Sequence, residues 1–507
     1  MTLNSLGQKL ITFLQYDPAE PFVFTSLDFW IFFGIFLAVY SLFYSKNKTR
    51  NLVLLLFSLF FYYKASGYAV ILLVLTVSFD YILAGWMPGK SQRIRFWLVT
   101  TSIVSNLLLL AYFKYAFFLI DLGNEWLGLG WEKHNWLAMC LPKQDFFQFD
   151  PDHILLPIGI SFFVFQSLSY TIDVYRGTIE PIKKWSDYAV FACFFPQLVA
   201  GPIVRAKDFL PQIFKPYEVS SQMFGNGVYL ILGGLFKKIV ISDILSTQLV
   251  DRVFDNPELA TPMESWLATY GYGIQIFCDF SGYTDIAIGV ALILGFHLNP
   301  NFNQPYKSSN ITEFWRRWHI SLSVWLRDFL YIPLGGNRKG TVRTYFNLFV
   351  TMLLGGLWHG ASLKFLVWGG LHGTALALHK VWMEITKKWS IQIPSFIGWI
   401  LTFHFALFCW LPFRAANWTM AVQIFDNLWK PWKMEPVIPI FKQYNLPISI
   451  LGLGLVLHFL PDSWKNGLQN LFSNLPKWAL ALVSIVLILV IYQFKTAESQ
   501  PFIYFQF

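Results

Sequence analysis

The chain has 507 residues, of which 55% are hydrophobic, 19% aromatic and only 13% charged. Soluble domains carry about 25% charged residues, so this balance, with its repeated long apolar runs, excludes a soluble globular protein and specifies a polytopic membrane protein. The net charge of +9 clusters between the apolar runs, where anionic lipid and insertion topology account for it; no nucleic-acid partner is expected.

Residues 1–24 read as an interfacial segment without a cleavable signal. Apolar segments follow near 28–45, 51–63, 68–86 and 96–120. Lys46, Lys48 and Arg50 come after the first and Lys90, Arg93 and Arg95 after the third. The positive-inside rule therefore places both loops in the cytoplasm, with the N-terminus and the 64–67 turn outside. Residues 121–152 then form an outer loop in which Asp121, Glu125, Glu132, Asp145, Asp150 and Asp152 outnumber Lys133 and Lys143. Its Trp126, Trp131 and Trp136 suit an interfacial belt; docking of a partner or glycan is the sharper alternative.

Residues 153–172 cross back. In 173–215, Pro196, Gly201 and Pro202 cannot share one undisturbed helix. Irregular backbone is tolerated at membrane depth only inside protein, so this region reads as re-entrant or broken. Spans near 222–245 and 264–296 follow. Asp279 and Asp285 stand about 240° apart around a helix, which disfavours a paired-carboxylate site. They are expected to meet backbone or arginine donors within the bundle, and Asp80 has the same structural reading.

Residues 314–330 read as a helix on which Trp315, Trp318, Leu322, Trp325 and Phe329 form one face and Arg316, His319, Ser323 and Arg327 the next. Such a helix suits a membrane boundary. Its basic end continues through Arg338, Lys339 and Arg343 after Pro333 and the Gly335-Gly336-Asn337 turn. A helix from Arg343 carries His359 roughly 24 Å along its axis, most of the way through a hydrocarbon core about 30 Å thick. An ionisable ring at that depth is a functional candidate, the bland alternative being a hydrogen bond to a neighbouring helix. Gly355, Gly356 and Gly360 leave space around it.

Further spans are expected near 363–386, 396–413, 447–461 and 477–494. Lys387 and Lys388 fit a cytoplasmic loop. Arg414, Lys430, Lys433 and Lys442 fall where an outer loop is expected, against the positive-inside rule. The total is an all-α integral membrane protein, a helical bundle of about 10 to 12 transmembrane helices plus re-entrant and interfacial ones. No internal repeat of the secondary-transporter kind is seen. Cys140, Cys193, Cys278 and Cys409 lack CxxC spacing, so neither disulfides nor zinc are expected. His372 and His379 share a helical face but lack a third ligand, so they read as structural, and His297 reads as loop. Neither a metal nor a bound cofactor is expected.

The run WRRWHISLSVWLRDFLYIPLGGNR, followed by GLWHGAS, resembles the signature of the membrane-bound O-acyltransferase (MBOAT) superfamily, in its bacterial alginate O-acetyltransferase branch. LPIGISFFVFQSLSYTIDVYRG at 156–177, FFPQLVAGPIVRAKDFLPQI at 194–213, CDFSGYTDIAIG at 278–289 and the FIYFQF ending agree with it. The likeness weakens only at 121–152 and 414–446. It implies one MBOAT-type membrane domain over 1–507, with N-terminal spans (1–120), an outer loop (121–152), a catalytic core (153–389) and C-terminal spans (390–507).

Acyl transfer to a hydroxyl needs a base, stabilisation of the oxyanion and orientation of the acyl donor. Histidine is the natural base, with an unperturbed pKa of about 6.5. The resemblance implies a catalytic role for His359 and a second essential role for His319; the depth of His359 ranks it first independently. His319 otherwise donates to the substrate carbonyl or holds its helix. Arg316, Arg317, Arg327, Arg338 and Lys339 either anchor the inner leaflet or recognise an anionic donor, with Ser323, Trp325 and Asn337 in the same donor-binding set.

The resemblance further implies an enzyme of the bacterial inner membrane that acetylates an exopolysaccharide such as alginate. The donor would be acetyl-CoA or an acyl carrier on the cytoplasmic side. A periplasmic or surface SGNH-type acetyltransferase would take the acyl group onward to the polymer. Other envelope polymers (peptidoglycan, cellulose, or teichoic acid receiving D-alanine) are alternatives, as are a transporter without transfer chemistry and a scaffold with vestigial histidines.

Overall fold

A computed structural model describes residues 14–17, 22–140, 154–432, 437–495 and 501–503, the Cys140 side chain excepted. The readings for residues 1–13 and 18–21, for Lys143, Asp145, Asp150, Asp152 and Lys433, and for 504–507 of the FIYFQF ending lie outside the described residues. Among the described residues the secondary structure is entirely helical, and the chain divides into two compact units, Met1–Glu218 and Val219–Phe507.

In the first unit the expected apolar segments are helices α1 (Leu27–Phe43), α2 (Asn47–Ser66), α3 (Ala69–Gly85) and α4 (Gln92–Leu127). Helix α4 contains a π-helical stretch at Ala111–Tyr115 and runs past position 121, where the outer loop was expected to begin. Short α5 (Trp136–Cys140) precedes α6 (Ile160–Arg176). The proline- and glycine-interrupted region then forms three short helices, α7 (Trp185–Ala192), α8 (Phe195–Leu198) and α9 (Ala206–Ile213). Nearly all of 188–206 is buried, as broken backbone inside a membrane protein requires.

Two polar side chains in this unit show how its interior is satisfied. The Asp80 carboxylate, fully buried, accepts from Ser102 Oγ at 2.7 Å and Asn106 Nδ2 at 2.9 Å, so its structural reading holds. Arg50, which the positive-inside rule places in a cytoplasmic loop, is only 2% exposed. Its guanidinium donates to the carbonyls of Ile213 at 2.8 Å and Lys215 at 3.0 Å and to Asn51 Oδ1. A planar fork with several donors can cap several carbonyls at once, and that use of the side chain is indistinguishable in sequence from a topology signal.

In the second unit, α10 (Ser221–Leu235) continues through π-helical stretches at Phe236–Ser242 and Ser246–Val250 to α11 (Asp251–Asp255). It packs along α12 (Pro262–Ile293), which opens with a Thr261/Glu264 capping box and is buried over most of its length. The two helices approach at Gly234 and Gly282: a Cβ on Gly282 would lie 2.8 Å from the Gly234 carbonyl oxygen. Asp285 pairs with Lys237 at 2.5 Å and Asp279 with Lys238 at 2.6 Å. The side-chain donors for these carboxylates are lysines of the neighbouring helix where arginines were an expected alternative, while the expected backbone donor is met at Asp279, whose Oδ2 accepts the Ile503 N–H at 2.9 Å.

The remaining α-helices are α13 (Ile311–Arg317), α14 (Ile320–Leu326), α15 (Thr341–His359), α16 (Leu363–Trp389), α17 (Ser395–Arg414), α18 (Trp418–Trp429), α19 (Val437–Gln443), α20 (Asn445–Phe459), α21 (Asp462–Asn474) and α22 (Lys477–Gln493), with a 3-10 turn at Pro305–Lys307 and a π-helical stretch at Arg327–Tyr331. Arg414, out of place by the positive-inside rule, is answered by Asp251 at 2.5 Å and Asp255 at 3.4 Å. Among the described residues, Gln92–Leu127, Pro262–Ile293 and Ser395–Arg414 are long and apolar enough to cross a membrane. Val437–Gln443 and Asn445–Phe459 form a pair bent by 81°, and Leu27–Phe43, Ala69–Gly85 and Lys477–Gln493 are shorter apolar helices.

Candidate active site

The charged, aromatic stretch at 311–331 is not one helix. Asn310 caps α13 by accepting from the Glu313 N–H at 2.9 Å, and Glu313 pairs with Arg317 at 2.8 Å. The backbone then opens: Trp318 is extended and His319 sits at φ 42°, in the left-handed region that non-glycine residues seldom occupy. His319 Nδ1 accepts the Leu322 N–H at 3.3 Å and so caps α14. Asn301 takes the next donors, its carbonyl accepting from Ile320 N at 2.9 Å and its side chain from Ser321 N at 3.1 Å. A continuous helix over 314–330 is therefore a misreading. The periodicity was present, but side-chain and loop acceptors outcompeted the helical ladder at one point.

The break redistributes the indoles of the expected stripe. Trp315 Nε1 donates to His372 Nδ1 at 3.3 Å, Trp318 packs on Trp410 at 4.9 Å, and Trp325 packs on Phe329 at 5.2 Å. All three tryptophans are buried, so they line protein instead of presenting one face to acyl chains.

His359 arrives from the other direction. Helix α15 carries Arg343 and His359 on one unbroken element, as the depth argument requires, and ends at His359. Its return partner α16 lies close because glycines face each other: a Cβ on Gly356 would sit 3.0 Å from Gly369 Cα. Trp368 of α16 and Phe413 of α17 pack edge-on against the His359 ring at 5.0 and 5.5 Å. Phe280 of α12 packs edge-on to His319 at 4.7 Å, and Trp358 touches both imidazoles, at 6.0 and 5.1 Å. The centroids of His319 and His359 are 6.4 Å apart, with exposures of 0% and 3%.

An imidazole whose Nδ1 accepts a backbone N–H carries its proton on Nε2 when neutral. His319 thus offers a donor, and His359 offers a ring able to accept or release a proton, within an aromatic enclosure that keeps bulk water from diluting either interaction.

The other residues expected at the site divide by position. Arg316 and Arg338 are exposed, as is Lys339. Arg317 is held by Glu313 and also donates to the Asn303 carbonyl at 3.2 Å; Arg327 pairs with Asp328 at 2.6 Å. Asn337, exposed, accepts from the Tyr331 hydroxyl and from Lys380 Nζ at 3.2 Å. Ser323 donates to the Trp318 carbonyl at 3.3 Å, beside His319. Trp358, Trp368, Phe280 and Phe413 escaped the reading of the sequence. Only Trp358 had a local signal, adjacency to His359 within GLWHGAS, whereas the others look like ordinary apolar residues of spans. His372, fully buried, lies on Trp368 at 4.7 Å, and His379 Nδ1 is 2.8 Å from Thr312 Oγ1; both sit in packing, consistent with their structural reading.

Residues 152–422 match the family model described as MBOAT, membrane-bound O-acyltransferase family. The probable alginate O-acetylase AlgI of Pseudomonas aeruginosa is 40% identical over 82% of this chain and 76% of its own length. That of Pseudomonas putida is 37% identical over 96% of this chain and 100% of its own. The peptidoglycan O-acetyltransferase of Helicobacter pylori is 36% identical over 76% of this chain and 75% of its own. With a buried histidine pair at the core of its helices and a match that spans more than half its residues, the chain belongs to the membrane-bound O-acyltransferase family.

Proposed function

We propose that this O-acyltransferase supplies acetyl groups for O-acetylation of an exopolysaccharide of the alginate type, with His359 and His319 as its catalytic residues. The observation that carries the reading is the 6.4 Å approach of these two imidazoles inside one aromatic enclosure. His359 removes the proton from the acceptor hydroxyl as its oxygen attacks the acyl carbonyl. His319 donates its Nε2 hydrogen to the oxygen on which negative charge develops. The bond from acyl carbon to the donor's leaving group then breaks, the new C–O bond remains, and the abstracted proton passes to the leaving group.

The donor in this reading is acetyl-CoA or an acetylated carrier, approaching from the cytoplasmic side of the inner membrane. Arg316, Arg338 and Lys339 present exposed charge for its phosphates. The pairing of Arg317 and Arg327 with acidic neighbours favours a positioning role for those two. The acyl group leaves towards an SGNH-type acetyltransferase and finally a polysaccharide hydroxyl. The names and identities of the Pseudomonas relatives support the alginate-type acceptor. The Helicobacter pylori relative supports peptidoglycan as the second reading.

The deciding experiment measures O-acetyl ester in separated exopolysaccharide and peptidoglycan fractions. A deletion strain is complemented with wild type or His359→Ala, at matched protein level. Ester lost from the exopolysaccharide fraction alone, and restored only by wild type, fits the proposal. Loss confined to peptidoglycan selects the second reading, and full ester with His359→Ala removes the histidine from the chemistry.

A further inference from the structure

Lys238, Asp243 and Asp279 form a buried ionic cluster that the acyl-transfer scheme does not use. Lys238 Nζ lies 2.6 Å from Asp279 Oδ1 and 2.8 Å from Asp243 Oδ1, and all three side chains are under 10% exposed. Such a cluster is costly to bury and stays charged only if every member is answered. Its lysine lies in the π-helical stretch Phe236–Ser242, which ends just before Asp243, a helix defect that recurs at functional sites.

The cluster holds something. Asp279 Oδ2 accepts the backbone N–H of Ile503 at 2.9 Å, and Pro501 and Ile503 close one side of a small polar cavity whose other walls include Lys238, Ser242 and Gln275. Between them, Phe502 lies against Tyr283 at 4.7 Å and edge-on to Phe280 at 5.7 Å. Phe280, next to Asp279 on α12, is the ring that packs on His319 at 4.7 Å. Phe280 therefore packs against both Phe502 and the His319 ring.

We propose that Asp279, held by Lys238, clasps the 501–503 segment so that Phe502 presses Phe280 onto His319, making Asp279 and Phe502 positioning residues for that imidazole. The inference rests on the role given to His319 above. His319 occupies a strained backbone conformation that persists only where its surroundings over-determine it. The clasp supplies that constraint from the α12 side. A segment distant in sequence thereby sets the orientation of that ring through Phe280.

The test uses the full chain in its native membrane, with Phe502→Ala, Asp279→Ala and the conservative Phe502→Tyr. Two quantities are read: polymer acetyl ester per folded molecule, and the rate at which diethyl pyrocarbonate modifies His319, located by mass spectrometry. The clasp predicts about a tenfold loss of ester per folded molecule for the two alanine variants. Modification of His319 rises several-fold in both, and Phe502→Tyr stays near wild type in both measurements. If the alanine variants lower only the amount of folded protein, with ester per molecule and His319 reactivity unchanged, the segment is a plain structural anchor and the proposal is overturned. Normal ester output from His319→Ala would instead remove the catalytic reading of His319, while the reactivity measurement still decides whether the clasp controls the ring.

Discussion

His319 and His359 meet at 6.4 Å although one caps the start of α14 and the other ends α15. Neither helix alone defines the pair. It exists because a left-handed turn at His319 and a glycine-lined hairpin at Gly356 and Gly369 bring two helix ends into one aromatic enclosure.

The two imidazoles are separable by variants that spare the backbone. Asn tolerates the left-handed region and keeps an acceptor for the Leu322 N–H, so His319→Asn should keep the cap and cost about 1–3 kcal/mol for the ring packing lost against Phe280 and Trp358. Polymer acetylation should still fall about 100-fold or more, and His359→Ala should lose about 100- to 10,000-fold, the range expected for a general base. Thermal unfolding in detergent, set beside ester yield, checks both.

Close approach of α15 and α16 depends on a missing side chain. A Cβ at position 356 would run into the Phe365 carbonyl oxygen as well as Gly369. Gly356→Ala should therefore destabilise by about 1–3 kcal/mol, the usual cost of overpacking, and displace His359. Tryptophan fluorescence melts and acetylation per folded molecule should fall together.

Arg50 should not be replaceable by lysine. One ammonium cannot reproduce a fork shared between the Ile213 and Lys215 carbonyls and Asn51. Arg50→Lys should lose about 1–3 kcal/mol and Arg50→Ala at least as much, by leaving buried carbonyls unsatisfied. Denaturant melts would show it. A lysine variant as stable as wild type would return Arg50 to the role of a topology signal.

Removing Lys238 leaves Asp243 and Asp279 buried without their counter-ion. Breaking a buried pair from one side costs about 3–5 kcal/mol, so Lys238→Met should lower the melting temperature sharply. Lys237→Met, at the more exposed Asp285 pair (30% and 24% side-chain exposure), should cost less. Equal effects would contradict the burial argument.

Exposed Arg316 and Arg338 should act on donor affinity. Arg316→Ala and Arg338→Ala are expected to raise KM for the acyl donor about tenfold each, the worth of one charge-assisted hydrogen bond, with kcat little changed. Steady-state kinetics in proteoliposomes, repeated at higher salt, would show the difference shrinking as the charges are screened.

Much of this protein was legible before any coordinates. Apolar runs marked the helices because hydrocarbon demands locally satisfied backbone. Pro196, Gly201 and Pro202 marked the broken region because their restrictions are local, and the apolar, glycine-rich run around His359 pointed to a ring that the structure buries. What remained hidden was every feature that needs two distant elements at once. These are the break at His319, set by Asn301; the enclosure made by Phe280, Trp368 and Phe413; the lysine partners of Asp279 and Asp285; and the burial of Arg50 against 213–215. Local periodicity reports which residues prefer to leave water, but it carries no information about which of many equivalent apolar or charged surfaces will meet. That choice is made only by packing, and here packing turned a predicted amphipathic helix into a capped turn that holds one histidine against another.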